Sequence, residues 1–168
     1  MRVLVVGVGL VGEMVAKMLV ADGHEVIGTT TTPEKVEKLQ AFCTDVAVLK
    51  GEEQEKIAAA AEGCDAIVMT VSPKFSRTTT PEDRLAEYEK VFERTGKSVT
   101  AVHERCLFAS SFSVYGDGGE GSEPITEESP LSTSQEPSTV YFQAAERLVL
   151  ANGNGCVLRF PDVYGGET

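Results

Sequence analysis

The sequence contains no tryptophan and only two histidines, His24 and His103. The two are far apart and form no metal-binding motif, so each reads as a strand-edge or helix-end residue. The four cysteines, Cys43, Cys64, Cys106 and Cys156, make no CxxC pair and no Cys/His metal spacing. Cys64, Cys106 and Cys156 lie in or beside apolar runs, which predicts small buried hydrophobes rather than disulfides or ligands, and a reducing compartment. No apolar run approaches the about 20 residues that span a bilayer. The N-terminus enters an apolar strand at once and shows no signal or transit segment. The expected location is the cytoplasm, or the soluble interior of an organelle if a leader was removed earlier. Basic charge is also scarce: 15 Lys and Arg face 26 Asp and Glu, a net charge of −11. The cations are scattered among acids, so no surface for nucleic acid or anionic lipid is expected. The acids Glu120, Glu123, Glu127 and Glu128 lack calcium-loop spacing and read as a solvated loop. Gly96-Lys97-Ser98 has the ending of a P-loop, but Val91 stands where its first glycine is required.

What is present points to a single soluble domain. The chain has 168 residues, 42% hydrophobic and 24% charged, enough for one sizeable core. Its organising stretch is the first thirty residues. Val3-Leu4-Val5-Val6 is a strand run, Gly7-Val8-Gly9-Leu10-Val11-Gly12 follows, then an amphipathic helix pattern, then a second strand at His24-Glu25-Val26-Ile27-Gly28. A GxGxxG between a strand and a helix is the dinucleotide fingerprint. Gly7 permits the tight turn, Gly9 lets backbone approach a pyrophosphate, and Gly12 lets the helix pack on the strand. The first-turn N–H groups, with Leu10 and Val11, and the positive helix end would face the phosphates. The alternative is a glycine-rich turn that holds no ligand.

Further along, Leu10, Val11, Met14, Val15, Met18 and Leu19 form one apolar stripe of a helix over about 10–22. Thr32 is placed to cap a helix beginning at Pro33. Val46–Leu49 reads as a short buried strand, Glu52–Ala61 as a helix, and Ala66–Val71 as a fourth strand that empties into Ser72-Pro73-Lys74-Phe75. Pro81–Val102 is helical in spacing and continues past Gly96. Arg105–Ala109 is a fifth strand, 110–138 a long polar loop, 140–149 another helix, and Cys156–Phe160 a sixth strand. Strands alternate with helices throughout. That predicts an α/β, doubly wound parallel sheet of about six strands with helices on both faces, one domain over 1–168, and a ligand at the strands' carboxyl ends.

Three stretches carry a resemblance. They are Val5–Gly12, Phe108-Ala109-Ser110-Ser111-Phe112-Ser113-Val114-Tyr115-Gly116, and Val157-Leu158-Arg159-Phe160-Pro161-Asp162-Val163-Tyr164-Gly165. Together they resemble the extended or atypical short-chain dehydrogenase/reductases, which include NAD(P)-dependent epimerases and dehydratases and have a Rossmann-type fold. The resemblance implies that Gly7, Gly9 and Gly12 line the pyrophosphate. It places Val71, Ser72 and Pro73 along the adenosine half, and Phe160, Pro161 and Val163 by the nicotinamide. Ser111 matches the serine that hydrogen-bonds the reacting oxygen. At the ribose end, Thr29, Thr30 and Thr31 stand where an NAD site places an acid. With Lys35 nearby they incline the expectation towards NADP over NAD. The other reading of these threonines is as turn and cap residues.

The family's catalytic Tyr-x-x-x-Lys is broken. Aligned on Ala144-Ala145-Glu146, its two positions fall on Ser138 and Phe142; shifted by three, they fall on Tyr141 and Ala145. Neither register supplies a lysine, so a phenol here keeps a pKa near about 10. Tyr141 is either a lone catalytic acid or a core tyrosine. The chain also stops soon after the sixth strand, where the family continues into a substrate lobe, so a short form is expected. The expected function is an NAD(P)-binding protein with a degraded catalytic pair, serving as a cofactor sensor, a subunit or an assembly partner, with a protein partner or a second copy alongside. The alternatives are an oxidoreductase or epimerase acting on a sugar nucleotide or small carbonyl through Ser111 and Tyr141, and an interaction module without cofactor.

Overall fold

The computed structural model of the chain describes residues 1–116, 124–161 and 163. Asp162, Tyr164 and Gly165 of the third motif, and the acids Glu120 and Glu123, lie outside the described residues. Six strands, β1 (Arg2–Val6), β2 (Glu25–Thr30), β3 (Asp45–Val48), β4 (Ala66–Met69), β5 (Cys106–Ser111) and β6 (Cys156–Phe160), form one sheet in the order β3-β2-β1-β4-β5-β6. Every pairing is parallel. This is the doubly wound, Rossmann-type sheet, reversing direction between β1 and β4. β1 is central, and Val3, Leu4, Val5 and Val6 are all buried, because a strand covered on both faces needs apolar residues at every position.

The helices form two layers. On one face α1 (Leu10–Ala21) and α2 (Val36–Gln40) close a cluster around Val3, Val5, Ala16, Val26 and Leu39. On the other, α3 (Gln54–Ala60), α5 (Thr95–Val102) and α6 (Pro137–Leu150) close a cluster that includes Leu4, Val6, Ile57, Phe92, Phe108 and Val149. Between β4 and α5 the chain is helical from residue 81 onwards. α4 (Pro81–Tyr88) starts from a reciprocal Thr80–Asp83 capping box, a six-residue π-helical stretch (Glu89–Arg94) follows, and α5 continues from it. Gly96 does not break the run. A Cβ there would lie 3.2 Å from Leu148 Cδ1, so the glycine lets α5 and α6 pack closely.

Several sequence expectations are corrected. The stripe on α1 is divided: Leu10, Met14 and Met18 are 51, 55 and 66% exposed. The small face, Gly12 and Ala16, is the buried one, because small residues let the helix axis approach the sheet while bulky neighbours are left outside. Thr32 does not cap the next helix with its side chain; Thr30 Oγ1 accepts the Thr32 N–H at 3.1 Å. β3 is half exposed because it is an edge strand. Cys156 is exposed, on the opposite edge strand, while Cys43 and Cys106 are buried and Cys64 partly so. All four thiols are free.

Along the α1 face of the sheet, cover fades across the strands. Val5 is fully buried, Val68 beside it and Leu107 beside Val68 are half-buried, and Cys156 next to Leu107 is exposed. Among the described residues no helix is long and apolar enough to cross a membrane.

Candidate functional site

The glycine turn is braced from the two strands that flank β1. Gly7 has φ +94°, a conformation that favours glycine. Its N–H donates to Thr29 Oγ1 at 2.9 Å, and its carbonyl accepts from Thr70 Oγ1 at 2.9 Å. Val8 N–H donates to the Thr29 carbonyl at 2.8 Å. Gly12 sits behind the turn: a Cβ there would lie 2.4 Å from the Gly7 carbonyl oxygen and 2.6 Å from Thr70 Oγ1. Gly9 is different. A Cβ at Gly9 would meet nothing within 4 Å. Two glycines therefore serve the fold, and the third faces open space, where a ligand would come close to the backbone. The first turn of α1 leaves its N–H groups without intrahelical partners, at the positive end of the helix dipole.

This turn opens on a cleft of about 880 Å³ at the carboxyl ends of the strands. Gly7, Gly9, Leu10 and Val11 form one wall, and Thr29, Thr30 and Thr31 a second. Val71, Ser72 and Pro73 line the β4 side, and Phe160, Pro161 and Val163 the far end. The fold thus gathers every expected cofactor position except Gly12, which is buried beneath the turn.

The threonines divide their work. The Thr29 hydroxyl holds the turn, Thr30 closes the bend after β2, and Thr31 Oγ1 accepts from Lys74 Nζ at 2.8 Å. Thr70, Lys50, Lys74, Lys90 and Glu52 also line the cleft, and sequence reasoning did not single them out. Their signals are non-local: Lys50 and Glu52 lie in the segment after β3, Thr70 and Lys74 in the segment after β4, and Lys90 on the helical stretch after α4, all brought alongside by the crossovers. Glu52 Oε2 is buried without a hydrogen-bond partner, so a ligand donor in the cleft would satisfy it. Together the cleft's size, its open glycine and this unpaired acceptor fit a dinucleotide.

The opposite end is where the expected catalytic residues lie. Ser111 lines the cleft. Its Oγ accepts from Ser113 N at 3.1 Å and from Ser113 Oγ at 2.7 Å, which leaves its own proton to donate to a ligand oxygen. Tyr141 is not among the residues lining the cleft. Its ring stacks on Tyr88, with centroids 6.5 Å apart and planes 11° apart. Burial, and then Glu89 and Glu93, push its phenol above the usual range. Phe142 lines the cleft instead, with its ring 4.1 Å from Phe92 and 5.9 Å from Phe108. Ser138 borders a second cavity of about 490 Å³, with Ser113 and Tyr115. The Ser138/Phe142 register is therefore the one that faces the two cavities.

Beneath this end lies a buried polar brace. Ser110 Oγ donates to Glu146 Oε1 at 2.6 Å, Arg159 grips the same carboxylate, and Arg159 Nη1 donates to the Tyr115 hydroxyl at 2.5 Å. Glu146 and Tyr115 hold the guanidinium's pKa well above its ordinary value.

The comparisons agree with this architecture. The chain superposes on UDP-glucuronic acid 4-epimerase from Bacillus cereus in complex with NAD, with TM-score 0.76 and 16% identity over 98% of this chain and 58% of that one. It superposes on the Bordetella bronchiseptica enzyme WbmH in complex with NAD+, with TM-score 0.74 and 14% identity over 95 and 55%. For the UDP-Glc/GlcNAc 4-epimerase of Campylobacter jejuni the TM-score is 0.73 and the identity 20%, over 94 and 52%. At these identities the likeness is one of fold, and the chain spans a little over half the length of these structures. No curated protein matches the chain by sequence. Residues 3–167 match the NAD dependent epimerase/dehydratase family. With the braced glycine turn, the 3-2-1-4-5-6 sheet and a match over nearly its whole length, the chain belongs to the NAD dependent epimerase/dehydratase family.

Proposed function

We propose that this chain binds NAD(P) in the β1–α1 cleft and does so without the family's catalytic pair, acting as a cofactor-sensing or assembly subunit. The observation that carries the reading is Phe142, an aromatic side chain that lines the cleft and that the register aligned on Ala144-Ala145-Glu146 sets against the family's lysine. Gly7, Gly9, Leu10 and Val11 would hold the pyrophosphate. Val71, Ser72 and Pro73 would flank the adenosine, and Phe160, Pro161 and Val163 the nicotinamide. A bound nicotinamide supplies a hydride donor or acceptor. Proton transfer beside it needs a group of matched pKa, and Phe142 offers no proton to move. Between the two cofactors the reading inclines to NADP, because the end of β2 carries hydroxyls and no acid. The poorly covered sheet face at β6 supports a partner or a second copy.

A second reading rests on Ser111, whose hydroxyl is available in the cleft. In it the chain reduces or epimerises a sugar nucleotide or small carbonyl, with the remaining pocket wall supplied by another polypeptide. Titration with NADH and NADPH, followed by nicotinamide fluorescence, tests the cofactor. No binding at millimolar nucleotide overturns both readings. Hydride turnover over a panel of nucleotide sugars and carbonyls tests the second. Turnover abolished by Ser111→Ala would replace the first reading with the second.

A further inference from the structure

We infer that Lys74, reaching from the loop after β4 to the end of β2, is the residue that selects a 2′-phosphorylated adenosine, so that NADPH binds in preference to NADH; this rests on the cofactor reading above. Lys74 Nζ donates to Thr31 Oγ1 at 2.8 Å and to Thr32 Oγ1 at 3.1 Å. Those hydroxyls stand where a dinucleotide site reads the adenosine ribose. There an acid accepts from a free 2′-OH, and a cation takes a 2′-phosphate. In this chain β2 ends in Thr29-Thr30-Thr31-Thr32, with no acid, and the cation comes from another strand's loop. Lys35, one turn further on, also lines the cleft. The backbone N–H of Lys74 donates to Glu87 Oε1 at 3.4 Å, which ties the loop to α4 and keeps the side chain directed across the mouth.

The same contacts fit the chemistry of a phosphomonoester. Thr31 and Thr32 present hydroxyl protons that are not used in accepting from Lys74. A dianionic phosphate at that point would be met by one or two cations and two hydroxyls, as charge-assisted hydrogen bonds. A free ribose hydroxyl there would find an ammonium and hydroxyls, with no acid in the run Thr29-Thr30-Thr31-Thr32. An ordinary surface lysine with no ligand role would be indifferent to the 2′-phosphate, and that difference can be measured.

The test compares NADPH with NADH by fluorescence titration, and 2′,5′-ADP with 5′-AMP by calorimetry, on the wild-type chain, Lys74→Ala and Lys74→Arg. The wild type is expected to bind the 2′-phosphorylated member of each pair tighter by roughly tenfold or more. Lys74→Ala should bring that ratio close to one, chiefly by weakening NADPH and 2′,5′-ADP. Lys74→Arg should retain most of it. Lys74 is exposed, so the thermal midpoint of either variant should match the wild type. Equal or tighter binding of NADH and 5′-AMP by the wild type overturns the inference while leaving the cofactor site standing. So does a Lys74→Ala variant that loses both members of a pair equally. Failure of all four nucleotides to bind overturns the inference together with the cofactor reading.

Discussion

Arg159 grips Glu146 with two parallel hydrogen bonds, Nε to Oε1 at 3.0 Å and Nη2 to Oε2 at 2.8 Å. The carboxylate side chain is only 2% exposed and the guanidinium 17%. The pair joins α6 to β6, and Ser110 adds the end of β5. Removing one partner strands a buried charge. Glu146→Ala should therefore cost about 3–5 kcal/mol in urea unfolding. Replacing both, as Glu146→Leu with Arg159→Met, should cost much less than the sum of the single changes. Additive losses would mean that the two side chains act independently.

The three glycines of the turn should separate stability from binding. Gly12→Ala drives a methyl into the Gly7 carbonyl and Thr70 Oγ1, and Gly7→Ala puts a side chain at φ +94°. Each should destabilise the fold, by about 1–3 kcal/mol for the strained backbone. Gly9→Ala meets no atom within 4 Å. It should leave the thermal midpoint unchanged while lowering dinucleotide affinity. A midpoint drop in Gly9→Ala equal to that in Gly12→Ala would contradict this division.

Tyr141 and Phe142 are neighbours in sequence with different surroundings. Tyr141→Phe should leave NAD(P)H affinity unchanged, because the ring stacks on Tyr88 away from the cleft. Phe142→Lys should lower stability by about 1–3 kcal/mol, since it replaces a ring packed on Phe92 and Phe108 with an ammonium. Adding Ser138→Tyr to Phe142→Lys recreates the family's pair. Hydride exchange with a carbonyl substrate that appears in the double variant alone would show that these two positions are what the chain lacks.

The thiols should react in the order of their exposure. Cys156 is exposed and should be alkylated first by iodoacetamide in the native chain. Cys106 is buried, and burial pushes its thiol up to about 11. Below the ordinary thiol range of about 8.5 it is protonated in both folded and unfolded chains and contributes no pH dependence. Between that range and about 11 the unfolded chain releases a proton that the folded chain retains. Stability should therefore fall as pH rises through that window. Cys106→Ala should flatten the alkaline limb of the stability profile.

The alternation of strands and helices, and with it the sheet, was legible because parallel strands buried on both faces are near-continuous apolar runs, as in Val3–Val6. The glycine turn was legible because it is local. The buried face of α1 was not: hydrophobicity alone favoured Leu10, Met14 and Met18, whereas the close approach allowed by Gly12 and Ala16 decided the packing. The catalytic helix posed a question of phase. Sequence left two registers open, and only the packing of α6 shows that Phe142 faces the cleft. Lys74 carried no signal, because its partners Thr31 and Thr32 are distant in sequence and adjacent only through the β1–β2 and β1–β4 pairings.

The two apolar layers also differ in when the chain can complete them. The layer under α1 and α2 draws on residues from Val3 to Val68, so it becomes available once β4 has emerged from the ribosome. The opposite layer needs Phe108, Ala145 and Val149 and stays open until α6 is made. Synthesis from the N-terminus thus assembles the cofactor turn with its own half of the core, while the second half remains the longer-lived exposed apolar surface. Aggregation during expression should accordingly track truncations that remove α6 more than changes on α2.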